Sequence, residues 1–464
     1  MPVGADSKLD ALGPVEAPEA AAGTDQAGIR ARFSRVLFGQ SFLSSVLRSF
    51  LTLAAGEWVA RLIGVAIQVW LARKLTPGPY GVITFGIALI GWFGLVVDSG
   101  TEQLNVRDIS RHPERFRELA DRVLGLRIAL SIVAGVLLAS VTYLFSNSED
   151  ARTVLPRFAL VLPALAINLR WMVLGIGKAK AVALGNVASR IVFLAAIVLL
   201  VSNPSDDKIV PILEALSEAT YAAVIIVLAA KGYGLVRPRI DLAAWRQTLT
   251  EGFPLLVYGA CRAAILTADV VLIALILGHG QVGLYGAALK PVTFFLGALG
   301  LFSVSLLAGY SAAPENERNS LFRRSVLFGS LSMVAVAIAL SLASPLVTFV
   351  FGDRYADAAA PLAVLAWALP LAALAVPYSS VLIARGRQDV LMRNNIVGAA
   401  FNIGTNALMI AFVGITAAAG VRVATYGIML FLNHGSCVSR GLAPSLAEVF
   451  TGRIPRVLPG RGRA

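Results

Sequence analysis

One run of residues, from 253 to 278, restricts the fold more than any other part of this sequence. It reads FPLLVYGACRAAILTADVVLIALILG and is longer than the roughly 20 apolar residues with which a helix crosses a bilayer. Because lipid offers the backbone no hydrogen-bonding partner, the run is predicted to be a transmembrane helix. It also holds two charged residues, Arg262 and Asp269, two helical turns apart on one face. A charge at this depth is costly and normally faces a bundle interior or a water-filled cavity.

Similar apolar runs recur along the whole chain. The sequence is 57% hydrophobic and 14% charged, with mean hydropathy +0.76, whereas an average soluble domain is about 25% charged. The predicted fold class is therefore an all-α integral membrane protein with about 12 transmembrane helices. The predicted spans are residues 50–72, 81–102, 123–146, 154–175, 180–201, 209–230, 252–278, 282–309, 326–350, 361–384, 394–418 and 420–438.

The basic residues predict the orientation of these spans. A net charge of +13 would suit a nucleic-acid-binding protein, but most Lys and Arg lie in connectors between apolar runs, which the positive-inside rule explains. The connectors after the second, fourth, sixth, eighth and tenth spans hold most of them, so this side and both termini are predicted to be cytoplasmic. The alternate connectors hold few: Arg73, Lys74, Arg152, Arg157, Lys208, Arg354 and Arg422.

These boundaries predict a domain organisation in five parts. Residues 1–49 are a cytoplasmic disordered tail followed by an amphipathic helix, because Ala, Gly, Pro and acidic residues give way to mixed Arg and Phe. Residues 50–230 form an amino-terminal six-helix lobe, and residues 231–251 form a cytoplasmic connector. Residues 252–440 form a carboxyl-terminal six-helix lobe, and residues 441–464 a cytoplasmic tail.

The two lobes share short patterns that indicate duplication. Leu, Gly and Gly recur at a spacing of three residues at 75, 78 and 81 and again at 277, 280 and 283, an offset of 202. A Gly with a basic neighbour and a later Asn recurs at 177, 178 and 186 and at 386, 387 and 395, an offset of 209. Each lobe has an even number of spans, so the repeats are parallel, and parallel repeats place a substrate site between the halves.

The sequence shows few features that would indicate an enzyme. His112, His279 and His434 are isolated, and Cys261 and Cys437 lie in apolar or semi-apolar helix, so neither a metal site nor a catalytic triad is indicated. No GxxxxGK[ST] phosphate-binding loop occurs, so no cofactor is expected and no ATPase is built into the chain.

Several motifs then resemble one known family. In the first half these are ARKLTPGPYG from residue 72, DSG from 98 and RDI from 107; in the second, FP from 253, VGLY from 282, FGDRY from 351, and Asn402 with Asn406. Together they resemble the polysaccharide flippases, exporters of O-antigen and exopolysaccharide repeat units in the MATE-like multidrug/oligosaccharidyl-lipid/polysaccharide (MOP) superfamily. The resemblance covers about residues 50–412 and implies two six-helix lobes around a central cavity.

The resemblance also implies a function and its partners. A polyprenyl-diphosphate-linked oligosaccharide would cross the cytoplasmic membrane of a bacterium or archaeon by alternating access, driven by a coupling ion or by substrate consumption. Other polysaccharide-assembly proteins would be partners, and nucleic acid would not. The pattern departs from the family after residue 420, where Arg422 and His434 interrupt the last apolar run.

Charges inside the spans are the candidate site residues. Arg61, Arg190, Arg262 and Lys290 are predicted to line an aqueous cavity and bind an anionic substrate, since arginine suits a diphosphate by its bidentate geometry. The candidates for ion coupling or ion pairing are Glu57, Glu214, Glu218 and Asp269.

Two other functions stay open on the sequence alone. One is a multidrug or lipid-precursor exporter of the same superfamily; the cationic spans disfavour cationic drugs, but a peptidoglycan-precursor flippase also handles a lipid diphosphate. The other is a membrane polysaccharide polymerase or ligase, which the short connectors disfavour.

Overall fold

The computed structural model describes residues 40–112, 116–146, 148–233, 236–312 and 314–452. The predicted tail, residues 1–28, and residues 29–39 of the predicted amphipathic helix lie outside these ranges. By internal contacts the chain divides at Leu51, and the shorter unit contributes only the helical residues 40–51 to the description. The site and all packing discussed below belong to the unit Thr52–Ala464.

Twelve helices in the described residues are long and apolar enough to cross a membrane, which confirms the predicted fold class. A helix satisfies most of its backbone hydrogen bonds internally, as lipid requires. Spans 1 to 6 are Leu53–Lys74, Pro77–Asp98, Phe116–Phe145, Glu149–Gly175, Ala179–Leu200 and Pro204–Leu228. Spans 7 to 12 are Leu242–Ile276, His279–Leu307, Glu317–Leu342, Asp353–Ala384, Gln388–Val413 and Ile415–Val438.

Several helices extend beyond or break within these spans. Span 1 belongs to the helix Gln40–Lys74, span 8 to His279–Ala312 and span 9 to Glu315–Leu342. Span 4 is assembled from Glu149–Val154, Leu155–Leu160, Val161–Ile167 and Arg170–Gly175, and span 10 from Asp353–Ala358, Ala359–Leu365 and Ala368–Ala384. Short helices at Thr101–Arg111, Ser344–Leu346, Val347–Phe351 and Leu446–Thr451 lie between or after the spans.

The span 7 helix begins at Leu242, ten residues before the predicted start of this span at residue 252. Asp241 caps it, with its carboxylate accepting a hydrogen bond from the Ala244 backbone N–H at 3.0 Å. The helix of span 6 likewise continues to Tyr233. Much of the predicted connector 231–251 is therefore helix, because a helix does not stop where its residues become polar.

A buried arginine explains the DSG motif that follows span 2. Ser99 and Gly100 take left-handed backbone angles, with φ of 47° and 75°, and turn the chain into the helix Thr101–Arg111. Arg127 of span 3 pairs with the Asp98 carboxylate and donates to Thr101 Oγ1 at 2.9 Å and to the Asn168 carbonyl at 3.3 Å. Arg127 therefore ties spans 2, 3 and 4 together at this turn.

The duplicated glycines mark a close crossing between spans 2 and 8. The backbone at Gly81 lies against the carbonyl of His279, and the backbone at Gly283 lies against the carbonyl of Pro77. A side chain at either glycine would overlap the opposing carbonyl, so glycine is required by the close approach. The offset of 202 that relates the two glycines also relates Pro77 to His279, so the contact is reciprocal.

Further contacts join the first six spans to the last six at the same end. Arg73 donates to the carbonyls of Val350 and Phe349 at 2.8 and 2.6 Å. The Tyr355 hydroxyl donates to the Leu75 carbonyl at 3.4 Å, and its ring meets that of Tyr80 edge-on with 5.8 Å between centroids. Side chains and carbonyls separated by more than 270 residues therefore fasten this end of the bundle.

The predicted carboxyl-terminal tail contains a packed helix. Ser445 and Glu448 form a capping box at the start of Leu446–Thr451. Val449 is fully buried, and its carbonyl accepts a hydrogen bond from Arg323 Nε at 3.1 Å. Residues 442–451 are therefore part of the packed bundle, and residues 453–464 lie outside the described residues.

Candidate functional site

Arg190 in span 5 lies between two carboxylates of span 6. Its Nη1 is 3.5 Å from Glu214 and its Nη2 is 3.6 Å from Glu218, and the three side chains are 29%, 13% and 13% exposed. A hydrogen bond from Ser217 Oγ to the Ser189 carbonyl, at 3.0 Å, fixes the two helices beside this cluster. The structure thus brings together one predicted cation and two predicted acids.

Arg61 in span 1 forms a second cluster, which reaches the other half of the protein. Its guanidinium is 2.9 Å from Glu57, one turn earlier, and Asn186 of span 5 donates to the same carboxylate at 2.9 Å. The guanidinium also lies against Gly297 of span 8, where a methyl group would overlap it. Arg61 Nε is buried and has no hydrogen-bond partner among the described residues.

Arg170 of span 4 pairs with Glu102 and interacts electrostatically with the acids of the two clusters. Its Nε is 3.2 Å from Glu102, and the charges of Glu57 and Glu218 also act on it. Neither Arg170 nor Glu102 is among the candidate site residues chosen from the sequence. The amphipathic pattern of Thr101–Arg111 could have drawn attention to Glu102, because it predicts a helix with one packed and one polar face.

Lys290 of span 8 completes the set. It is half-buried, and the acid whose charge acts on it is Glu214 of span 6. We call these residues the charge network: the cations Arg61, Arg170, Arg190 and Lys290 and the acids Glu57, Glu102, Glu214 and Glu218. It spans both halves of the chain, and its cations and acids balance in number.

Arg262 of span 7 lies outside the charge network. It is exposed, and within the part of the chain that the structure describes no ion pair or side-chain hydrogen bond engages it. It shares a helix face with Asp269, which is fully buried, so the exposed guanidinium lies on the side of span 7 that faces other spans. The repeat offset of 202 relates Arg61 to Ala263, so Arg262 is one residue away from the position equivalent to Arg61.

Asp269 belongs to a different, fully buried cluster between spans 7, 8 and 12. Arg422 donates to its two carboxylate oxygens at 2.7 and 2.6 Å, and the Tyr285 hydroxyl donates to it at 2.5 Å. A third bond runs from Arg422 to the Leu266 carbonyl at 2.7 Å. Arg422, counted above among the connector charges although it falls in the predicted span 420–438, lies inside span 12, because the bidentate pair with Asp269 offsets the cost of burying the guanidinium. Its Nη1 is buried without a hydrogen-bond partner among the described residues.

The paired asparagines lie beside this cluster. Asn402 of span 11 donates to Thr425 of span 12 at 3.0 Å, and Asn406 donates to Asn402 at 3.2 Å. All three side chains are fully buried. The bond from Asn402 to Thr425 joins span 11 to span 12, and the bond from Asn406 supports Asn402 within span 11. Polar side chains commonly stabilise membrane bundles by such hydrogen bonds between helices.

The described residues contain no group of three or more His, Cys, Asp or Glu side chains arranged to hold a metal ion. The chemistry available to the charge network is therefore that of arginine, lysine and carboxylate side chains. Such groups bind anions and exchange ion-pair partners.

Comparison with known sequences identifies the family. A family model described as polysaccharide biosynthesis protein matches residues 46–307. The putative O-antigen transporter of Escherichia coli K12 is 24% identical over 253 residues, which are 53% of this chain and 60% of that protein. The EPS I polysaccharide export inner membrane protein EpsE of Ralstonia nicotianae is 24% identical over 361 residues, which are 73% of this chain and 80% of that protein.

Solved structures share the fold. The lipid II flippase MurJ in an inward closed conformation has a TM-score of 0.67 at 14% identity, covering 86% of this chain and 89% of that one. An inward-facing multidrug resistance MATE transporter of the MOP superfamily has a TM-score of 0.62 at 13% identity, covering 85% and 96%. The family match extends over more than half of the 464 residues, and the chain belongs to the polysaccharide biosynthesis protein family.

Proposed function

We propose that this protein is a flippase that moves polyprenyl-diphosphate-linked oligosaccharide repeat units across the cytoplasmic membrane for surface polysaccharide biosynthesis. The observation that carries the proposal is the family match over residues 46–307. The names of two relatives, an O-antigen transporter and a polysaccharide export protein, support the same substrate class. The fold of twelve spans, shared with transporters, supports movement across the membrane rather than chemistry on the sugar.

The charge network and Arg262 are the proposed contacts of the substrate diphosphate. Arginine binds phosphate oxygens through two parallel N–H donors, and Lys290 adds a point charge. Because the network is balanced, an incoming diphosphate competes with Glu214 and Glu218 for Arg190. Arg262 pairs with no acid among the described residues, so it is the cation that the diphosphate reaches without that competition.

We propose alternating access for transport, with the sugars and diphosphate in the interior and the polyprenyl chain in lipid. Spans 1 and 8 carry Arg61, Gly297 and Lys290, so the network bridges the two halves that must move relative to each other. An acid released from Arg190 by substrate is free to take up a coupling ion. Glu214 and Glu218 are therefore the proposed coupling acids, and Asp269 is not among them because Arg422 occupies it.

The orientation is proposed from the distribution of basic residues, with both termini cytoplasmic. Reporter fusions after Asp207 should report the external face, and fusions after Arg239 the cytoplasmic face. The opposite result at both positions would reverse the orientation. Fractionation of the same fusions should recover them in the cytoplasmic membrane.

The function is tested first in the native host. Deletion of the gene should cause lipid-linked repeat units to accumulate on the inner leaflet and surface polysaccharide to disappear. Unchanged surface polysaccharide, with loss of drug resistance instead, would refute the proposal in favour of a multidrug exporter. Accumulation of a peptidoglycan precursor would instead indicate that the protein is a peptidoglycan-precursor flippase.

The site is tested in proteoliposomes at matched protein level. Flipping of a diphosphate-linked lipid sugar should fall about tenfold or more in Arg262→Ala and Arg190→Ala, because a charge-assisted hydrogen bond contributes about 1.5–3 kcal/mol. An uncharged lipid-linked sugar should be much less affected. Arg385→Ala, an exposed arginine in the connector after span 10, is the matched control. Equal slowing of both substrates would mean that these arginines hold the fold rather than recognise phosphate.

A further inference from the structure

An apolar groove of about 660 Å³ lies between span 3 and the start of span 7. Span 3 contributes Leu126, Ala129, Leu130 and Val133, at the spacing of one helical face. The helix of span 7 contributes a second face, from Leu242 to Phe253, with the same periodicity. Two apolar helix faces thus oppose each other across an open space.

The groove also carries polar groups suited to a lipid headgroup. Arg246 and Trp245 line it, and the indole N–H of Trp245 is buried with no hydrogen-bond acceptor among the described residues. Arg246 is exposed, and the described part of the chain supplies it with no ion pair. A single groove thus combines an apolar wall, an unsatisfied N–H donor and an uncompensated positive charge.

The segment before span 7 adds further positive charge at one end of the groove. The backbone N–H groups of Arg237 and Arg239 donate to the carboxylate and the carbonyl of Asp121 at 2.7 and 2.9 Å. The Arg239 carbonyl lies against Gly125, beside the first lining residue of span 3. Both arginine side chains are exposed.

The nearby acids are already engaged by the backbone or by a neighbour. Asp121 accepts the Arg237 N–H, Asp241 accepts the Ala244 N–H, and Glu251 accepts from Gln247 at 2.9 Å. None of these three acids forms an ion pair with Arg239 or Arg246 among the described residues, so both guanidinium groups remain available to an anionic ligand.

We propose that this groove is a binding site for an anionic phospholipid, with one acyl chain between the two helices and the phosphate on Arg246 and Arg239. Its volume is within the range of about 300–1,000 Å³ for specific small-molecule sites. Zwitterionic lipid would fill the apolar wall equally well, but only a net negative headgroup matches the arginines. Because span 3 and span 7 belong to different halves of the chain, the lipid is a contact between the halves. This inference does not depend on the identity of the transported substrate.

The test is native mass spectrometry of the purified full-length protein with phosphatidylglycerol or phosphatidylcholine added at equal concentration. Phosphatidylglycerol should bind more tightly, and each of Arg239→Gln and Arg246→Gln should weaken it about fivefold, the factor that corresponds to ~1 kcal/mol per basic residue near a membrane surface. The double variant should lose about thirtyfold, with phosphatidylcholine binding unchanged. Arg385→Gln, an exposed arginine of another connector, should change neither.

A groove-filling variant, Ala129→Phe, tests the acyl chain. It should abolish the tight phosphatidylglycerol adduct while the elution volume of the protein in size-exclusion chromatography stays the same. Equal affinity for the two lipids, or arginine variants that leave the phosphatidylglycerol affinity unchanged, would overturn the proposal. Displacement of phosphatidylglycerol by a polyprenyl-diphosphate lipid at equal concentration, lost in Ala129→Phe, would overturn it too, by assigning the groove to the transport substrate.

Discussion

Asp269→Asn is the substitution whose outcome the structure predicts most sharply. Arg422 donates to both oxygens of this carboxylate at 2.6–2.7 Å, and both side chains are fully buried. An asparagine offers one acceptor oxygen, and its amide N–H groups would face an N–H of Arg422. The guanidinium charge would then be buried without a counter-charge.

The expected loss of stability is large. Removing one partner of a buried ion pair costs about 3–5 kcal/mol, a large part of the about 5–15 kcal/mol by which folded proteins are commonly stable. Asp269→Asn protein should therefore be scarce in the membrane and should unfold at a lower temperature. Replacing the pair by apolar residues, in Asp269→Leu with Arg422→Met, should recover most of this loss, leaving about 1–3 kcal/mol for the Tyr285 hydroxyl that loses its acceptor.

Fluorescence-detected size-exclusion chromatography of heated fluorescent-protein fusions measures both effects. Arg262→Gln is the matched control, because it removes a charge from the same helix face where no ion pair exists among the described residues. It should leave abundance and melting unchanged. If Asp269→Asn were as abundant and as heat-stable as the unmodified protein yet inactive in flipping, the reasoning would fail, and Asp269 would carry coupling or substrate contact instead.

Substitutions at three further contacts have definite expected outcomes. Gly81→Ala places a methyl group on the opposing carbonyl of span 8, so it should lower thermal stability by about 1–3 kcal/mol and impair flipping, whereas Gly78→Ala, with open space around it, should do neither. Arg73→Gln removes hydrogen bonds between the two halves, so spin labels on spans 2 and 9 should report a longer mean distance; an unchanged distance would show that the arginine does not fasten that end. Asp98→Asn and Arg127→Met should each cost about 1.5–3 kcal/mol in heat denaturation, and additive losses in the double variant would contradict a direct pair.

Much of the fold was predictable because hydrophobicity is a local signal. All twelve spans follow from apolar runs. The repeated glycines Gly81 and Gly283 indicated duplication, but their close contact was not predicted. The ends of helices were less predictable, because some helices continue past their apolar residues. The cap at Asp241, rather than the change in hydrophobicity, decides where the span 7 helix begins.

The partners of buried charges were not predictable, because pairing is a long-range property. Asp269 and Arg422 are 153 residues apart, and an arginine near the end of a weak apolar run looks like part of a connector. Glu102 was missed for a related reason, since its helix is too polar to be read as part of the membrane bundle. Sequence reasoning found Arg61, Arg190 and Lys290 as charges within spans. That their acids balance them is visible only from the geometry.

The reciprocal crossing of spans 2 and 8 has the form of an isologous interface, in which the same surface meets itself across a two-fold axis. Gly81 meets His279 as Gly283 meets Pro77, so one chain contains the contact that a symmetric dimer of six-span subunits would form. In the proposed alternating access, a rotation of either half about an axis through this crossing would keep the glycine contacts in place while more distant parts of the spans separate. The crossing is thus the expected pivot, and a substitution at one glycine would change the contact surface of both halves.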